Sequence, residues 1–112
     1  MPGKILIVDD IATNRIVLKV KLSAAFYEVI QASSGAEALE IAQDQRPDLL
    51  LTSDRLPDMS GADLCQTLHK TPDCAAIPVI VTTANAQPDT RFATLLAGAD
   101  EVITKPLDDM VL

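Results

Sequence analysis

Apolar residues fall along this chain in short unbroken runs separated by stretches where they recur every three or four positions, and the alternation repeats five times. Ile5 to Val8 is an apolar β-branched run closed by Asp9 and Asp10. Leu49 to Leu51 lacks the polar alternation of a half-exposed strand, so it reads as a strand buried on both faces, as a parallel sheet covered by helices requires. Glu28 to Ala32, Val79 to Thr83 after Pro78, and Glu101 to Thr104 complete five predicted strands. Thr13 or Asn14 is placed to cap a first helix with Val17, Val20 and Ala24 on its inner face. Ser34 caps a second with Ala38, Leu39 and Ala42 inward and Glu37, Glu40 and Asp44 toward water. Ser60 caps a third that turns in Leu64, Cys65 and Leu68 and ends at Thr71-Pro72-Asp73. Phe92, Leu95, Leu96 and Ala99 share one face of a fourth, and Gly98 suits a left-handed cap at its end. Leu107 to Val111 reads as the first turn of a fifth helix, truncated there. Strands alternating with helices imply right-handed crossovers and a doubly wound α/β fold around a five-stranded parallel sheet, in one domain over 1–112.

Composition narrows the function classes. With 112 residues and 48% hydrophobic content, the chain can bury a core without staples. A formal charge of −7 repels phosphate at long range, which argues against nucleic acid or an anionic membrane as a partner. Cys65 and Cys74 lack metal-ligand spacing, have only His69 to help them, and read as small core residues; His69 reads as a surface side chain. Neither a secretory leader nor an apolar run of the roughly 20 residues that span a bilayer is visible, so a cytoplasmic location is expected.

Ligands of open parallel sheets collect beyond the carboxyl ends of the strands. At those ends stand Asp9-Asp10, then Ser53-Asp54-Arg55-Leu56-Pro57-Asp58-Met59-Ser60-Gly61, then Thr83-Ala84, then Lys105-Pro106. In this order and spacing the four motifs resemble the receiver domain of two-component response regulators, over the whole chain. Ile5 to Ile11, Phe26 to Val29 and Thr104 to Asp109 are most like the first receiver of PleD-type diguanylate cyclase response regulators. The resemblance implies a flavodoxin-like receiver fold in which Asp9 and Asp10 are metal acids, the Arg55 main-chain carbonyl is a further ligand for magnesium, Thr83 donates its hydroxyl to a phosphoryl group, and Lys105, before a cis peptide to Pro106, pairs with the acceptor or the phosphate.

One position departs from that pattern. The family's phosphate-accepting aspartate lies four residues before the loop proline, and the count lands on Ser53. A serine hydroxyl brings no charge and needs a general base to attack phosphorus. Asp54 is the candidate substitute, although strand alternation predicts that its side chain aims away from the Asp9 and Lys105 cluster. The aromatic residue that commonly answers the threonine in receivers is replaced by Val102.

The reading is therefore a signalling receiver without enzymatic activity, degenerate at its phosphoacceptor position, holding magnesium weakly or not at all and acting through protein contacts. The alternative is a phosphoryl-accepting receiver regulating a linked output domain such as a diguanylate cyclase, with Asp54 as acceptor or Ser53 standing where a native aspartate was. Implied partners are a sensor histidine kinase or phosphotransfer protein, a linked output domain, and a second receiver in a dimer. A nucleotide-binding enzyme finds no support, because Gly3, Gly35, Gly61 and Gly98 stand too far apart for a phosphate loop.

Overall fold

The computed structural model describes residues 3–84 and 87–104. Five strands, β1 (Lys4–Val8), β2 (Glu28–Ala32), β3 (Leu49–Ser53), β4 (Val79–Thr83) and β5 (Glu101–Thr104), alternate with four helices, α1 (Ala12–Ala24), α2 (Gly35–Gln45), α3 (Gly61–Lys70) and α4 (Pro88–Leu96). All strand pairs are parallel, in the order β2-β1-β3-β4-β5. The doubly wound architecture read from the alternation is the one observed. The order reverses between β1 and β3, which opens a crevice at their carboxyl ends.

The unbroken apolar runs are explained by burial on both faces. Leu6 and Val8 of β1 join Leu50, Val79, Val81 and Val102 in a core with Ala38 and Ala42 of α2 and Leu64, Cys65 and Leu68 of α3. Ile5 and Ile7 face the other way, into a smaller core with Leu51 and with Leu18 and Leu22 of α1. Because successive strand side chains alternate between faces, a strand serving two cores has no polar position to spare.

Two helix faces differ from the expectation. On α1 the buried pair is Leu18 and Leu22; Val17 and Val20 are 37% and 64% exposed, and Ala24 is exposed too. Apolar residues wrap most of this helix, so their periodicity does not single out one stripe, and the sheet can cover only one. On α4, Leu95 packs against the larger core, as does Ala99 just beyond its end, while Phe92 and Leu96 are 64% and 72% exposed. The cap expected at Thr13 or Asn14 is also absent: the N-cap of α1 is Ile11, without a side-chain bond.

The other helix starts agree with the reading. The Ser34 hydroxyl accepts from the Glu37 amide at 3.2 Å and the Ser60 hydroxyl from the Asp63 amide at 3.0 Å, contacts that contribute about 1 kcal/mol each. Gly98 has φ +114°, in the left-handed region that suits glycine. Cys65 and Cys74 are free and buried, and burial, reinforced by the charge of Asp100, pushes the Cys65 thiol up to about 12. His69 is exposed. Among the described residues no helix is long and apolar enough to cross a membrane.

The loop after β3 is tied to α2 by a contact that sequence reading missed. Asp58 accepts from the first two amides of that helix, Gly35 and Ala36, at 2.8 Å each. These two bonds, with the positive end of the helix behind them, hold the Asp58 carboxyl below its ordinary value. A carboxyl whose folded pKa is depressed stabilises the fold above its unfolded value of about 3.9 and loses that benefit as pH falls through the lower folded value. The unfolding midpoints of the natural chain and Asp58→Asn are therefore expected to differ at neutral pH and to converge in acid. A gap that is constant from pH 7 to pH 2 would show that the charge at residue 58 contributes nothing.

Candidate functional site

A cleft of about 660 Å³ opens at the carboxyl ends of the strands, lined by Asp10, Ile11, Ser53, Asp54, Arg55, Leu56, Pro57 and Ala84. It lies where the strand order reverses, as the topology requires.

Asp9 follows the last residue of β1 and is only 1% exposed. Its Oδ1 accepts from the Ile11 amide at 2.9 Å and its Oδ2 from Asn14 Nδ2 at 3.1 Å, while Arg15 Nη1 donates to its carbonyl at 2.6 Å. Asp9 therefore supplies from outside the helix the acceptor that the α1 N-terminus lacks at its cap. Asn14 fixes this carboxylate instead of capping the helix, a role readable only once the turn between β1 and α1 is known. Asp10 is exposed at the cleft wall.

Ser53 closes β3, 4% exposed and opposite Thr82 in the register. Beyond it the ladder continues for one bond, from the Asp54 amide to the Thr82 carbonyl at 2.8 Å, and then the chain turns. The Asp54 carbonyl accepts from the Gly61 amide at 2.8 Å, and Arg55 bridges back to Ser60. Asp54 lines the same cleft as Asp10 and Ser53, and its Oδ2 accepts from Thr83 Oγ1 at 2.8 Å. Residue 54 lies past the last residue of β3, so strand alternation does not by itself set the direction of its side chain.

Thr83 ends β4 and is 2% exposed. Val102 is buried in β5 opposite Val81 and leaves no aromatic side chain at that position. Lys105, with its Pro106 peptide and Leu107 to Val111, lies outside the described residues.

The arrangement thus brings together Asp10, Ser53, Asp54 and Arg55 in one cleft, with Asp9 and Thr83 buried at the strand ends beside it. For a hard divalent ion the donors are modest. Asp9 already accepts two hydrogen bonds, position 53 carries a hydroxyl, and among the described residues no group of three or more His, Cys, Asp or Glu side chains could hold a metal ion. Asp10 and Arg55 line the cleft, and Asp9 is buried next to Asp10.

The sequence profile of the response regulator receiver domain matches residues 5–112. Response regulator PleD of Caulobacter vibrioides is 39% identical over 112 residues, which are 100% of this chain and 25% of that protein. The chain thus spans a quarter of that relative's length. Among solved structures, the chemotaxis response regulator CheY4 of Vibrio cholerae superposes with a TM-score of 0.90 at 28% identity, covering 95% of this chain and 88% of that one. The receiver domain of a sensor histidine kinase of Pseudomonas aeruginosa PAO1, with a magnesium ion coordinated in its active site cleft, superposes with a TM-score of 0.86 at 30% identity, covering 95% and 87%.

Proposed function

Because the chain belongs to the response regulator receiver domain family, we propose that it is a two-component signalling module whose acceptor position has lost its chemistry, and that it signals through protein contacts. The observation that carries this reading is that Ser53 closes β3 and lines the cleft; the count from Pro57 assigns the family's acceptor aspartate to that position. A hydroxyl there carries no charge, and His69, the one histidine in the sequence, sits on α3 and does not line the cleft. The role is that of a signalling module in the cytoplasm, not of an enzyme.

Magnesium, when bound, would neutralise charge on a transferring phosphoryl group. Asp9, Asp10 and the Arg55 carbonyl would hold it. Compared with a site of three carboxylates, one charge is missing; at about 4 Å and an effective dielectric near 20 that charge is worth roughly 4 kcal/mol at most, and water ligands recover much of it. Binding in the millimolar range follows. Partners fitting this reading are a histidine kinase or phosphotransfer protein, an output domain on the same polypeptide, and a second receiver in a dimer.

The test is incubation with acetyl phosphate and magnesium, read by intact mass, beside a magnesium titration. The unmutated chain is expected to keep its mass and to bind magnesium weakly. A second reading, with Asp54 as acceptor, is favoured by the position of its carboxylate in the cleft, against Thr83. A phosphoryl label on the unmutated chain that Asp54→Asn abolishes would establish that second reading and end the first.

A further inference from the structure

We propose that Asp54 supplies, from within the chain, the anionic oxygen that the Thr83 hydroxyl engages, so that the two strand ends are joined without phosphorylation and Asp54 competes with any phosphoryl group for that hydroxyl. The inference deepens the reading of Ser53 as a lost acceptor and rests on it for its meaning, since a chain that takes no phosphoryl group needs another anion for this contact.

The geometry carries it. Thr83 Oγ1 donates to Asp54 Oδ2 at 2.8 Å, and Thr83 is 2% exposed, so water has little access to replace the bond. A hydroxyl has one proton to give; while it points at Asp54 it cannot point at a phosphoryl oxygen. Bonds to a carboxylate are roughly twice as strong as those between neutral groups, and a low local dielectric strengthens them further.

Asp54 is moreover held on both sides of its side chain. Its amide donates to the Thr82 carbonyl and its carbonyl accepts from the Gly61 amide, each at 2.8 Å. The backbone that presents the carboxylate is therefore fixed, and the Thr83 bond holds the side chain itself. Ala84, next after Thr83, lines the cleft together with Asp54. Position 102 is a buried valine, opposite Val81 of β4.

The test compares the natural chain with Asp54→Asn and Asp54→Ala, without phosphodonor, by the side-chain couplings of the Thr83 methyl group in NMR. One rotamer is expected in the natural chain, averaging in Asp54→Ala, and an intermediate value in Asp54→Asn, whose amide oxygen still accepts but carries no charge. The same single rotamer in all three overturns the proposal. In the Ser53→Asp background, beryllofluoride with magnesium is the phosphoryl probe. Removing the competing carboxylate in Ser53→Asp/Asp54→Ala is expected to tighten its binding about tenfold, the scale of one hydrogen bond to a charged group. Unchanged affinity overturns the competition, and so does equal tightening by Asn and Ala, which would make charge repulsion the whole effect. Melting curves report that each variant is folded, and Asp54→Asn, nearly isosteric, serves if Asp54→Ala is not. A phosphoryl label on the unmutated chain would overturn the Ser53 reading alone, because the rotamer comparison uses no phosphodonor.

Discussion

Ser53→Asp is expected to take one phosphoryl group from acetyl phosphate in the presence of magnesium, where the unmutated chain takes none. Asp54→Asn in that background is expected to leave the label in place. The carboxylate oxygen at residue 53 would attack phosphorus as the bond to acetate breaks, and it would also restore the third acidic donor of the metal site. The remaining parts are at hand among the described residues: Asp9 and Asp10 at the end of β1, and Thr83, 2% exposed, at the end of β4. The change is from no label to a stoichiometric one, seen as a mass gain of one phosphoryl group that alkali removes, as it must an acyl phosphate. If Ser53→Asp binds magnesium and stays unmodified, the site has lost more than its nucleophile, and the domain is better regarded as a scaffold for binding alone.

The second large effect is expected at Gly61, the first residue of α3. A methyl group there would lie 2.5 Å from the Ser53 carbonyl oxygen and 3.1 Å from the Asp54 Cα, both backbone atoms that cannot swing away. The strand end or the helix has to shift, and overpacking of this kind costs about 1–3 kcal/mol. For a chain of this size that is a fall in melting temperature on the order of 5–10 °C. Gly35 makes the contrast. An added methyl would press against the Met59 sulfur, yet that thioether ends a flexible side chain and can move, so Gly35→Ala is the milder change. Since the backbone displaced by Gly61→Ala is that of the acceptor position, Ser53→Asp/Gly61→Ala is also expected to lose the label gained by Ser53→Asp. Circular dichroism melts and intact mass check both, and an unchanged melt with full labelling would refute the close approach.

The strands were legible because the chain must write them plainly. A strand with a core on each face is apolar at every position, and such a run, closed by Asp9 and Asp10 or opened by Pro78, reads without structural help. Helix starts at Ser34 and Ser60 were legible for a local reason: the cap and the amide it serves are three residues apart. The inner faces of α1 and α4 were not, because both helices carry more apolar residues than the sheet covers, and only packing decides that Leu18 is buried while Val20 is exposed. At the site, the order of Asp9, Asp10, Ser53 and Thr83 along the chain was enough to bring them to one end of the sheet. The direction of Asp54 was not readable, since it depends on where the pleat stops, and neither was Asp58, whose partners Gly35 and Ala36 lie 23 and 22 residues away along the chain.

Cys65 and Cys74 belong to one buried cluster, and the Cys65 thiol is pushed up to about 12. Alkylating reagents need an accessible thiolate, so these sulfurs report on the larger core only when it opens. Their reaction rate in native buffer is then a clock for that opening: where reclosing outruns the reagent it measures the equilibrium population of the open form, and at high reagent it measures the opening rate itself. The natural chain thus carries a built-in probe of how tightly α3 is held against the sheet, one that needs no introduced label and lies on the face that also carries Gly61.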